Sequence, residues 1–316
     1  MSEPEDTPHE PELGPFPAPD LALQPVEQAS EEPAALFQSW SQPEAVAPKR
    51  IPHLGHLCLL ITLGIFGVLC AAVLMLVALR LHVFGITTMT QAATDVHYML
   101  GEEAAIYLVT LAASLFVFPL FWNKSFLAGI QWRGATALRL RWRLFWTALG
   151  CFALAVLDEL LLPGPPNAPI DEIFRSPGAA WLMFGFGVTL APLFEEIFFR
   201  GFLLPGLATA CDWAGERFTH QSPRPLDENG HPQWSVSAMV IASIATSLPF
   251  ALMHAEQTGK SLGPFLLLIT VSLVLCFVRL RTRSLAASTM VHACYNFVLF
   301  FSMLVGTGGF RHLENM

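Results

Sequence analysis

The chain has 316 residues, enough for two soluble domains, yet 53% of them are apolar and only 13% are charged. A soluble domain carries about 25% charged residues, so this chain lacks the polar groups to cover a water-facing surface, a need that a bilayer removes. The formal net charge of −8 gives no basic face for nucleic acid, and it is local: residues 1–50 hold ten acids against Lys49 and Arg50, and the rest of the chain is balanced.

In chain order, residues 1–50 read as a disordered, acidic and proline-rich tail. Ten prolines and ten acids leave too little apolar surface to offset chain entropy. Apolar stretches follow at 57–79, 104–122, 144–162, about 179–205, 235–253, 262–278 and 284–305. Each approaches the ~20 residues that cross a hydrocarbon core as a helix, and helices satisfy their own backbone there. The expected fold is an all-α polytopic transmembrane bundle of about seven spans, within bounds of six to eight. Residues 51–177 form its N-terminal helices, 178–305 its core and 306–316 a short C-terminal tail. Alternate connections carry the basic residues: Lys49 and Arg50; Lys124, Arg133, Arg139, Arg141 and Arg143; Arg217 and Arg224; Arg279, Arg281 and Arg283. The positive-inside bias puts these, and the N-terminus, in the cytoplasm, for a protein integral to the plasma (inner) membrane. The six cysteines show no CxxC spacing and read as small buried hydrophobes.

Ionisable groups inside spans cost at least ~2.5–3.5 kcal/mol at the membrane centre, so those present need a reason. The fourth span holds Glu195, Glu196 and Arg200 among aromatics. Glu196 and Arg200 are four apart and share a helix face, whereas Glu195 points about 100° away and keeps no such partner. The fifth span ends on Phe250 and His254; the seventh carries His292 and Asn296, again four apart. A glutamate base, two histidines and an amide donor are an inventory for activating water and stabilising an oxyanion. Each has a plainer reading: a helix-locking ion pair, an interfacial histidine, interhelical glue. Asp158 and Glu159, closing the third span, read as solvated.

EEIFFRG at 195–201, FALMH at 250–254 and HACYN at 292–296 resemble the EExxxR, FxxxH and HxxxN motifs of the CAAX prenyl endoprotease and bacteriocin-processing family. The stretch Arg281 to Leu285 is also similar, and the likeness covers roughly 178–300. It implies an intramembrane endopeptidase in which Glu195 activates water with His254. His292 and Asn296 would face the oxyanion, with Glu196, Arg200 and Phe250 in support. The substrate would be a peptide or membrane-associated protein, with the lipid bilayer as the other partner. The resemblance gives no single answer on a metal: a metal-free glutamate site and a zinc site both stand, and if zinc is used, Glu195, His254 and His292 make a ligand set with an open position. A non-catalytic scaffold or bacteriocin-resistance protein of the same family stands as the alternative, followed by a proton-coupled transporter with a buried carboxylate.

Two features sit uneasily with that reading. Residues 211–234 look like a polar surface-loop insertion. If the fourth span ends near residue 208, Glu195 lies ~20 Å from that end while His254 lies ~30 Å in. A break near Pro205-Gly206, or a tilted fifth helix, would be needed to bring them together.

Overall fold

The computed structural model describes residues 50–163, 176–227 and 229–311. Residues 1–49 of the expected disordered tail and the last five residues of the expected C-terminal tail lie outside them. Seven helices are long and apolar enough to cross a membrane: α1 Leu54–Arg80, α2 Val96–Trp122, α3 Gly134–Leu161, α4 Pro177–Thr219, α5 Val236–His254, α6 Leu262–Thr282 and α7 Leu285–Gly306. Among the described residues the other regular pieces are short helical turns and one isolated bridge, Leu226 to Pro232.

Local signals set the ends. Asp95 caps α2 by accepting from the His97 and Tyr98 N–H groups, which starts that helix at 96 rather than 104. Ser176, Ser235 and Ser284 cap α4, α5 and α7 in the same way. α3 begins ten residues before its apolar run because Arg139, Arg141 and Arg143 ride exposed on its first turns, where long cationic side chains can reach the interface. Large apolar side chains such as Phe116 and Leu120, about four-fifths exposed, cover the outside of the bundle, as lipid-facing helices require.

Inside, the two larger apolar clusters join six of the helices, and a smaller one around Ala208, Ala242 and Cys276 joins α5 to α4 and α6. Leu144, Cys151, Leu275 and Val291 join α3, α6 and α7. Leu60, Phe118, Ile197 and Phe202 join α1, α2 and α4. A Cβ added at Gly67 would stand 2.6 Å from Thr110 Oγ1, so glycine there lets α1 and α2 touch closely. Cys151 and Cys276 are buried, and all six cysteines are free.

α4 runs 43 residues without ending near 205. Pro192 lacks the N–H that would bond the Val188 carbonyl, and the chain kinks at Thr189 (φ −116°, ψ −76°). Residues Ile197–Leu203 widen into a π-helix, and the helix resumes through Pro205 to Thr219. The first nine residues of the polar stretch 211–234 are therefore helix, and the connection begins only at 220. Asp212 is buried and accepts from the Ser235 N–H (2.9 Å), so it holds the start of α5 instead of facing solvent.

The basic connections meet at one end of the bundle. Arg50 pairs with Glu216 at 2.8 Å, the Ile51 N–H donates to Gly230 (3.1 Å), and the Leu285 N–H donates to Gln131 (3.0 Å). Arg279 is the exception among the basic residues expected in connections. What sets it apart is burial: on α6, where Arg281 is exposed, Arg279 is 2% exposed, and its Nε donates to the Arg200 carbonyl on the π-helix (3.2 Å).

Candidate active site

The length of α4 resolves the depth problem. With α4 reaching Thr219 and α5 starting at Val236 beside it, Glu195 and His254 lie comparable distances from the basic end. Glu195 Oε1 stands 3.9 Å from His254 Nε2, and Oε2 stands 3.8 Å from His292 Nε2. Neither gap is a hydrogen bond, and Oε2 is buried without a hydrogen-bond partner among the described residues.

The two histidines are oriented from behind. His254 Nδ1 lies 2.9 Å from the Phe250 carbonyl, one turn back on α5. His292 Nδ1 lies 3.1 Å from Glu196 Oε1. A carbonyl and a carboxylate accept only, so Nδ1 is the donor in both rings, and each turns its Nε2 toward Glu195. Two imidazole Nε2 atoms and one carboxylate thus surround a single space.

Glu196 is fully buried and also takes Arg200 Nη1 at 2.8 Å. Arg200, equally buried, reaches across to α6 with Nη2 on Ser272 Oγ (2.6 Å) and on the Ser272 carbonyl (3.1 Å). Its guanidinium carbon lies 4.6 Å from the Phe250 ring centroid, a favourable cation–π distance. Phe250 also packs edge-on against His292 and tilted against His254, so one ring sits among α4, α5 and α7. Glu196 thus holds Arg200 and His292 Nδ1, while Glu195 faces the Nε2 atoms of His254 and His292.

Asn296 lines the same cavity as Glu195, His254 and His292, but its Nδ2 donates to the Gly187 carbonyl at 2.7 Å. That carbonyl lies in the turn broken by Pro192, so Asn296 ties α7 to the kink; an amide nitrogen carries two hydrogens, and one is engaged here. The donor types of Glu195, His254 and His292 suit zinc. Among the described residues, however, no group of three His, Cys, Asp or Glu side chains stands close enough to hold a metal ion, so the expected ligand set is not assembled in this geometry.

The cavity measures about 620 Å³ and runs from Glu195 toward the end of the bundle opposite the basic connections, where Glu159 and Gln257 are exposed. Residues 177–298 match the family described as type II CAAX prenyl endopeptidase, Rce1-like. The match starts with α4 and stops within α7, so it takes in all three motif helices; α1, α2 and α3 lie outside it. No curated protein and no solved structure matches the chain.

Several residues of the site lie outside the sequence motifs. Glu103 on α2 lines the cavity and accepts from Tyr107 Oη at 2.7 Å. Tyr107 in turn stacks on Phe194, next to Glu195 (4.2 Å, 12°). The signal was present, since Glu103 is an acid at the edge of an apolar run with a tyrosine four residues on. Ser272 gave no signal, because a serine in a span is ordinary. Asp158 and Glu159 line the cavity too, a role that reading them as solvated helix-end charges did not foresee.

Proposed function

We propose that this protein is an intramembrane endopeptidase that hydrolyses a peptide bond with water activated by Glu195 and His254. One observation carries the reading: both Glu195 oxygens face imidazole Nε2 atoms whose rings are fixed through Nδ1, at 3.8 and 3.9 Å. A water between Oε1 and His254 Nε2 donates one hydrogen to each. Glu195 takes a proton as the water oxygen adds to the carbonyl carbon. Asn296 offers the remaining N–H of its amide to the oxyanion, and His292, held through Nδ1 by Glu196, lines the same space. The proton held on Glu195 then passes to the leaving amine as the C–N bond breaks. The family match supports peptide hydrolysis over transport.

Purified protein incubated with a peptide library, beside Glu195→Gln and His254→Ala, tests this. Cleavage by wild type that both variants lose, with unchanged helicity, is expected. Cleavage that survives both substitutions sinks the assignment, and folded protein that cleaves nothing favours a non-catalytic scaffold. The gathering of the basic connections at one end also supports a cytoplasmic N-terminus, and the proposed membrane is the plasma (inner) membrane. In that orientation the cavity opens toward the far face.

A further inference from the structure

The cavity around Glu195 has a charge pattern that the hydrolytic step does not use. Four carboxylates line it: Glu103, Asp158, Glu159 and Glu195. Among the described lining residues there is no lysine or arginine, and the two site histidines are the only bases. Glu103 has Tyr107 as its hydrogen-bond donor, but no cation pairs with Asp158 or Glu159 among the described residues. Lys260, in the connection after α5, is engaged with Glu256 at 2.8 Å. The acids are also spread along the cavity. Glu103 lies deep, on the helix that carries Tyr107 against Phe194, whereas Asp158 and Glu159 lie at the outer end, with Glu159 exposed.

Walls of low dielectric strengthen the field of such a set at its centre. An anion entering meets Asp158 and Glu159, which pair with no cation among the described residues, whereas an ammonium or guanidinium finds two carboxylates there. The remaining lining is largely aliphatic and aromatic, including Phe152, Leu267 and Phe300, which favours an apolar peptide flanking the charge.

We propose that this cavity selects an apolar peptide bearing a lysine or arginine side chain near the scissile bond, and disfavours one that presents a free C-terminal carboxylate there. The inference rests on the endopeptidase reading for its meaning, but binding tests it independently. The cationic side chain seats at Asp158 and Glu159, the outer pair, so that the backbone beside it reaches Glu195.

The test uses the full chain in phosphatidylcholine nanodiscs at low ionic strength, with two fluorescein-labelled apolar peptides. One carries lysine and an amidated end; the other carries glutamate in its place and a free carboxylate. Anisotropy titrations should show the lysine peptide binding about tenfold tighter or more. Asp158→Asn with Glu159→Gln should close most of that gap, and exposed Glu159→Gln alone should narrow it if the double variant fails to fold. Equal binding, tighter binding of the acidic peptide, or a gap unchanged by neutralisation overturns the proposal. Cleavage of the same peptides is read in parallel. Charge-ordered binding without cleavage would keep the selectivity and sink the hydrolase, whereas cleavage indifferent to charge would do the reverse.

Discussion

Glu195 and Glu196 are neighbours in sequence with opposite fates, and the difference lies in what each meets. Glu196 is held by Arg200 and His292 in full burial. Removing the cation leaves a buried charge uncompensated, a change worth about 3–5 kcal/mol. Arg200→Met should therefore cut folded yield and thermal stability severely, whereas Glu196→Gln combined with Arg200→Met should recover part of the loss; unequal recovery is read from melting curves in detergent. Glu195 carries little of the structure. Glu195→Gln should melt near wild type yet lower kcat by about 10²–10⁴, the usual worth of a general base. A variant that both melts early and cleaves poorly would reverse these roles.

Outside the membrane spans, His231 is buried and bonds the Ile51 carbonyl through Nδ1 at 2.9 Å. Burial, the main cause, lowers its pKa from 6.5. The unfolded chain therefore takes up the proton first as pH falls below 6.5, so this residue makes stability decline on acidification and adds no such slope above that pH. Unfolding measured from pH 7.5 to 5 should show the decline, and His231→Phe should flatten it. A slope untouched by the substitution would place its origin elsewhere.

Among the elements, α4 does the most to assemble the site. Pro192 kinks it at Thr189, and the π-turns at Ile197–Leu203 take the Arg279 side chain on an opened carbonyl. Such π segments recur at functional sites. Arg279→Leu should displace the π-helix and with it Glu196 and Arg200, costing activity more than the loss of one exposed arginine would. At the next helix, Asp212→Ala removes the acceptor of the Ser235 N–H and hydroxyl and should destabilise by about 1–2 kcal/mol, the scale of a lost helix cap. A change within a few tenths, by thermal or denaturant unfolding, would show the cap to be held by something else.

At the scale of the whole molecule, the basic connections gather at one end and the cavity opens at the other. With the native cysteines replaced, Gln257→Cys in intact cells should react with a membrane-impermeant maleimide, and Lys124→Cys should react only after permeabilisation. The opposite pattern would invert the orientation and turn the cavity mouth to the cytoplasm.

The sequence by itself determined that this is a helical membrane protein, that it has about seven apolar spans, and which polar residues inside them need an explanation. These follow from local quantities: run length, i,i+4 spacing and the cost of a charge in hydrocarbon. The pairing of Glu196 with Arg200 was legible for that reason. That Glu195 meets two histidines from α5 and α7, that α4 passes Pro205 unbroken, and that Asn296 binds Gly187 were decided by tertiary structure. So was the burial of Arg279, which its neighbours Arg281 and Arg283 made look like one more connection charge. Glu103, Ser272, Asp158 and Glu159 joined the site in the same way. Spacing along one helix says which face a side chain takes but not what packs there, because the angles and offsets between helices arise from contacts distant in sequence.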